Sequence, residues 1–295
     1  MVDMHFCVPS LGRADTSKTL NLLSKQNLLR YTYIFVYDFD YNNYLKRYSK
    51  ANIIRIGSNK NLANKRNKIL EYAQNNNFET ILMIDDDIGS FYFKDFQNNK
   101  YKTSNLKLIY EYLYKILIEI KDKCFGVGTR YNFISTVDTQ KTILDLFSLG
   151  CQCYMFYVPK IICKYDTNQK FEDTDFFINN TINKNNIIRI NNLQVVANSM
   201  GKNKGGLQNY IKIDDRVKIG MEQMYDKWKG ADTFQPVNDK TGMPGFKKKQ
   251  FVKWLLINKY YNENEIQKIE DYLLNKDKEL RNQHIENIFL KGRIV

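Results

Sequence analysis

The chain has 295 residues, 43% of them hydrophobic, enough for one large domain or for a catalytic domain with a helical appendage. With 21 Tyr and 18 Phe to fill a core, and only 4 Pro and 14 Gly, the composition makes no case for a long flexible linker. The formal net charge of +13, from 45 basic and 32 acidic residues, fits a polyanionic partner such as DNA, and equally an AT-rich codon bias that inflates Lys, Asn, Ile and Tyr together.

In chain order, residues 4–8 read as a short apolar strand ending in the turn-rich loop Pro9-Ser10-Leu11-Gly12-Arg13. Asp15 or Thr16 can cap the helix that follows through Leu20, Leu22, Leu23 and Leu28. Residues 33–37 and 52–56 are further strands, and residues 62–73 show helical spacing through Leu62, Ile69, Leu70 and Ala73. Residues 80–84 are apolar throughout, as in a strand buried on both faces. Beyond them come a helix over 106–120, strands over 124–129 and 152–158, a helix over 174–182 and a strand over 187–196. From about Met221 the character changes to Lys-rich amphipathic helices, notably 249–259 and 263–274, with a soft boundary near Ile219.

Such alternation predicts an α/β fold, a mostly parallel sheet covered by helices, with ligands bound beyond the carboxyl ends of the strands. Arg13 and Asp85-Asp86-Asp87 both fall just past strand ends. No apolar run is long enough to span a bilayer, and the N-terminus does not read as a signal peptide, so a soluble cytoplasmic protein without a membrane partner is expected. Cys7, Cys124, Cys151, Cys153 and Cys163 sit in strand-like apolar contexts and read as buried free thiols; His5 and His284 are the only histidines, which argues against zinc.

Three consecutive carboxylates after a buried strand repel one another unless a cation neutralises them. Hard oxygen ligands from one or two carboxylates, completed by substrate phosphates and water, suit Mg²⁺ or Mn²⁺ on a diphosphate. Asp85 and Asp87 are the candidate ligands; a solvated acidic turn is the plainer alternative. A second acidic segment, Phe171-Glu172-Asp173-Thr174-Asp175-Phe176, either caps a helix or offers a general base for an acceptor hydroxyl, with Glu172 and Asp173 as candidates. Arg13 and the helical Lys65-Arg66-Asn67 are candidates for holding a nucleotide diphosphate, since planar guanidinium groups bind such anions bidentately; a solvated basic face competes for Lys65.

Residues 198–206, NSMGKNKGG, form either a loop that closes over phosphate or a plain surface loop. With no histidine there, a late metal ligand would be Asn198 or another oxygen donor. Residues 242–254 interleave basic and aromatic residues: Phe251, Trp254 and Leu255 read as an inward helix face, and residues 247–249 as possible phosphate contacts.

With Val8 to Arg13, then Lys65-Arg66-Asn67, then Met83-Ile84-Asp85-Asp86-Asp87-Ile88 in this order, the chain resembles glycosyltransferases of the GT-A fold. More narrowly it is similar to the TET-associated glycosyltransferase group and to phage enzymes that add sugars such as arabinose or glucose to hydroxymethylated pyrimidines in DNA. The resemblance covers about the first 210 residues. It implies a GT-A-like catalytic domain over 1–219 and a basic helical extension over 220–295, a UDP-sugar donor, Mn²⁺ or Mg²⁺ as cofactor, and DNA as the acceptor. It further implies that Asp85 contacts the donor ribose and Asp87 the metal, with Asp86 supporting, and that Arg13 and Arg66 hold the nucleotide. Glu172 or Asp173 matches the acidic element that faces the acceptor. Many such enzymes add a late histidine to the metal, and this chain departs from that pattern at Asn198. Competing readings are the same chemistry on a polysaccharide, lipid-linked sugar or protein, a sugar nucleotidyltransferase, and a non-catalytic DNA-binding module.

Overall fold

Apolar strands alternating with amphipathic helices build one central sheet, with β1 (Phe6–Pro9), β2 (Thr32–Val36), β3 (Asn52–Arg55) and β4 (Thr80–Ile84) paired in parallel. Between them run α1 (Lys18–Lys25), α2 (Tyr41–Arg47) and α3 (Leu62–Asn75). Then come β5 (Ile88–Lys94), β6 (Lys100–Thr103), α4 (Leu106–Ile120), β7 (Cys124–Arg130), β8 (Leu144–Asp145) and β9 (Cys153–Tyr157). The chain continues through α5 (Glu172–Ile182), β10 (Asn186–Ala197), α6 (Ile213–Lys227), α7 (Lys248–Ile257), α8 (Glu263–Asn282) and α9 (Asn287–Lys291). This computed structural model describes residues 3–58, 61–130, 138, 141–149, 152–166, 171–197, 213–228 and 248–291.

The sheet order is β3-β2-β1-β4-β9-β7-β10-β5-β6, with β8 added beside β10. Following the pairings outward from β1, seven of these ten strands point one way, and β5, β8 and β9 run against them. The expected α/β class with a mostly parallel sheet therefore stands, and the inserted reverse strands make it mixed. Because β1 and β4 are adjacent and parallel, the loops after Pro9 and after Ile84 emerge at the same edge. At that edge β10 ends with Ala197 paired to Ile88, next to Asp87.

Several expectations change in detail. Ser17, not Asp15 or Thr16, caps α1, its side chain accepting from the Leu20 amide. The helix also ends at Lys25, short of Leu28, and Asn27 at φ 57° turns the chain. The hairpin of β5 and β6 was not expected: its signal is the burial of Phe91 and Phe93, two residues apart, before a turn at Asn98 with φ 68°. α8 runs on to Asn282, eight residues past its expected end, opened by a capping box between Asn262 and Glu265. The boundary expected near Ile219 falls inside α6, and Trp254, Leu255, Leu273, Leu280 and Phe289 join the same apolar core as the sheet. Among the described residues, no helix is long and apolar enough to cross a membrane. Cys7, Cys124 and Cys153 are buried thiols and Cys163 is half-buried; Cys151 lies outside the described residues.

Candidate active site

The triplet after β4 divides by side. Asp86 turns inward and is buried, its carboxylate taking hydrogen bonds from Ser10 Oγ and from Arg13 Nη1. Burial pushes its pKa up against the opposing pull of Arg13 and Ser10. Asp85 and Asp87 stay partly open, with side chains 26% and 19% exposed. The backbone of the turn is pinned by α1: Ser17 Oγ donates to the Asp86 carbonyl at 2.8 Å and Thr19 Oγ1 to the Asp85 carbonyl at 2.6 Å. The Asp85 amide donates to the Gln152 carbonyl at 2.9 Å, carrying the β4–β9 ladder one step further.

Arg13 reaches this turn through a reversal at Gly12, whose φ of +61° few other residues tolerate. The Gly12 amide donates to Asp40 Oδ2 at 2.6 Å, and the Arg13 amide to the Tyr44 hydroxyl at 3.0 Å. The guanidinium pairs with Asp86 and lies 3.6 Å from Asp87 Oδ2.

Arg66, on the second turn of α3, is buried and gathers acids from two distant segments. Its Nη2 is 3.4 Å from Asp85 Oδ1, while Nη1 is 3.4 Å from Glu172 Oε1 and bonds Asp173. Asp85 and Glu172 hold this guanidinium protonated against the opposing effect of burial. Its Nε is buried with no hydrogen-bond partner among the described residues. Lys65 is also buried, donating to the Ser10 carbonyl, with Nζ 4.3 Å from the centre of the Tyr37 ring. Burial lowers its pKa to about 7, with Asp86 and Asp40 opposing. A solvated face for Lys65 is therefore ruled out.

Asn67 turns to a different task. Its Nδ2 donates to the Tyr165 carbonyl at 2.8 Å and its Oδ1 accepts from the Tyr165 amide at 2.7 Å. This clamp sets the Tyr165 ring, which lies 5.5 Å from Arg66 Cζ and stacks on Phe176 at 3.9 Å. Glu172 and Asp173 open α5, and no described side chain caps that helix, so both acids face Arg66 instead of serving as caps. Glu172 is almost closed off (9% exposed), whereas Asp173 is 28% exposed.

The structure thus brings together Arg13, Lys65, Arg66, Asp85, Asp86, Asp87, Glu172 and Asp173. Five carboxylates face three cations, an excess of two negative charges before Asp40 is counted. The pKa of the Asp85 carboxyl is pushed up to about 6, mainly by burial, with Arg66 opposing and Asp87, Asp86 and Glu172 adding to the rise. Among the described residues no group of three or more His, Cys, Asp or Glu is arranged to hold a metal. Two partly open hard carboxylates, Asp85 and Asp87, nevertheless fit a divalent ion that completes its shell from phosphate oxygens. Asn198 and the loop after it lie outside the described residues, as do residues 242–247. Ser10, Ser17, Thr19 and Tyr165 were not legible as site residues; a hydroxyl that bonds a backbone carbonyl 66 or 69 positions away leaves no local pattern.

The family model described as TET-Associated Glycosyltransferase matches residues 4–206, which include every site residue named above. No curated protein matches the chain. Among solved structures, a mannose-1-phosphate geranyltransferase from Thermus thermophilus is 12% identical over 54% of this chain and 58% of that one, with a TM-score of 0.34. The chain thus spans less than two thirds of that protein. A197 from STIV is 13% identical over 66% and 85%, TM-score 0.36. A cytidylyltransferase from Leptospira borgpetersenii is 11% identical over 77% and 95%, TM-score 0.37.

Proposed function

The chain belongs to the TET-associated glycosyltransferase family, and we propose that it moves a sugar from a UDP-sugar donor to a hydroxymethylated pyrimidine in phage DNA. The observation that carries this reading is the Arg66 guanidinium, which ties the donor-side Asp85 to the acceptor-side Glu172 and Asp173. Donor and acceptor groups are thereby set in one rigid cluster, as a displacement at a single carbon requires.

Asp85 and Asp87 would hold Mn²⁺ or Mg²⁺, with Asn198 as the candidate third ligand, and the ion would stabilise charge on the departing diphosphate. Arg13 and Arg66 supply fixed positive charge beside the same diphosphate. In the transfer step the acceptor hydroxyl oxygen bonds to the anomeric carbon as that carbon's bond to the diphosphate oxygen breaks. The hydroxyl proton passes to a carboxylate, and UDP leaves. Of the two candidates, Asp173 is the more open to an acceptor, and both carboxylates share the same Arg66 nitrogen.

The test is a radiolabelled UDP-sugar panel offered with Mn²⁺ to hydroxymethylcytosine DNA, hydroxymethyluracil DNA and unmodified DNA. Label entering only the hydroxymethylated DNA is expected. Label entering none of the three removes the DNA reading.

A further inference from the structure

Asp175, in the first turn of α5 beside Glu172 and Asp173, has a fully buried carboxylate. A buried charge is costly unless it is fully bonded, and here the partners come from outside the family match. Trp228 Nε1 donates to Asp175 Oδ1 at 2.9 Å, and Lys227 Nζ donates to Oδ2 at 3.0 Å. Within α5, Asn179 adds a bond at 3.0 Å. The same ammonium bonds Asp166 at 2.8 Å, next to the Tyr165 that Asn67 clamps. One lysine therefore joins the segment under Arg66 to the helix that carries the acids.

The consequence is helical phase. Successive residues on an α-helix are separated by about 100°, so a slip of one residue would swing Glu172 and Asp173 away from Arg66. Fixing Asp175 fixes both. We propose that Lys227 and Trp228 are positioning residues that act through Asp175 and Asp166 to hold Glu172 and Asp173 at the acceptor side of the site. The inference rests on the transfer reading above. It makes α6 part of the catalytic unit.

The experiment compares Trp228→Phe, Lys227→Met and Lys227→Arg with the wild-type chain. Three quantities are read: amide exchange over residues 175–182, sugar transfer to hydroxymethylated DNA, and acceptor-free UDP release. In Trp228→Phe and Lys227→Met, exchange over 175–182 rises about tenfold and transfer falls about tenfold or more, while UDP release stays within about twofold. Lys227→Arg keeps the charge and restores transfer to within about threefold of wild type. Unchanged exchange over 175–182, exchange altered only in 213–228, or parallel loss of transfer and UDP release would overturn the proposal. If the wild-type chain modifies no DNA, the acceptor reading fails, and the exchange measurement still decides whether the latch holds α5.

Discussion

Arg66 and Asp85 face each other at 3.4 Å, and the other arm of the same guanidinium meets Asp173, 107 residues further along the chain. A planar fork puts one arm on Asp85 and the other on Glu172 and Asp173, a span that the single nitrogen of an ammonium lacks. Arg66→Lys therefore keeps the charge and loses the span. Steady-state UDP release with Mn²⁺ is expected to fall about tenfold or more. A rate within about twofold of wild type would show that the bridge is dispensable.

Lys65 gives a pH signature. Its pKa is lowered to about 7 in the folded chain, mainly by burial, against an ordinary lysine value of 10.5. Between those values the unfolded state binds one more proton than the native state, so this group's contribution to stability rises with pH, by at most about 1.4 kcal/mol per unit. Lys65→Met has no such slope. Urea midpoints taken from pH 6.5 to 9.5 should show the variant's relative stability declining steadily as pH rises above 7. A constant difference would contradict the assignment.

Asn67→Ala removes both arms of the Tyr165 clamp and leaves a half-buried amide without its acceptor. The expected loss is about 1–3 kcal/mol in denaturant unfolding. Asn67→Asp retains an acceptor for the Tyr165 amide but sets a carboxylate oxygen against the Tyr165 carbonyl, so it should not restore the wild-type midpoint.

Gly126 on β7 lies opposite Phe156, and a Cβ there would stand 2.8 Å from Phe156 Cδ1. Phe156 in turn stacks on Phe125 at 5.6 Å and meets Phe176 of α5 edge-on at 6.0 Å. Gly126→Ala should destabilise the fold by about 1–3 kcal/mol through overpacking, read from urea midpoints.

The parallel half of the sheet was legible because each of its strands and helices carries its own periodicity, as in the uniformly apolar residues 80–84. Arg13, Arg66 and the Asp triplet were legible because they follow strand ends or lie on the adjoining helix. The division of labour within the triplet was not. Asp86 turns inward because Ser10 and Arg13 wait there, and that depends on β1 lying beside β4. Asn67 was expected at the nucleotide, and the structure places its amide on the Tyr165 backbone, 98 residues away. The latch at Asp175 was hidden for the same reason, since Lys227 and Trp228 arrive from a helix that composition alone assigns to a separate extension.

In the proposed function Asp85 and Asp87 would hold a divalent cation on the donor diphosphate. The direct measurement is UDP release from UDP-sugar in the presence of Mn²⁺, comparing wild type with Asp87→Ala. Wild-type release that is lost on chelation, and that falls about a hundredfold or more in the variant, is the expected result. Equal turnover by the two proteins, or wild-type turnover indifferent to chelation, would contradict it.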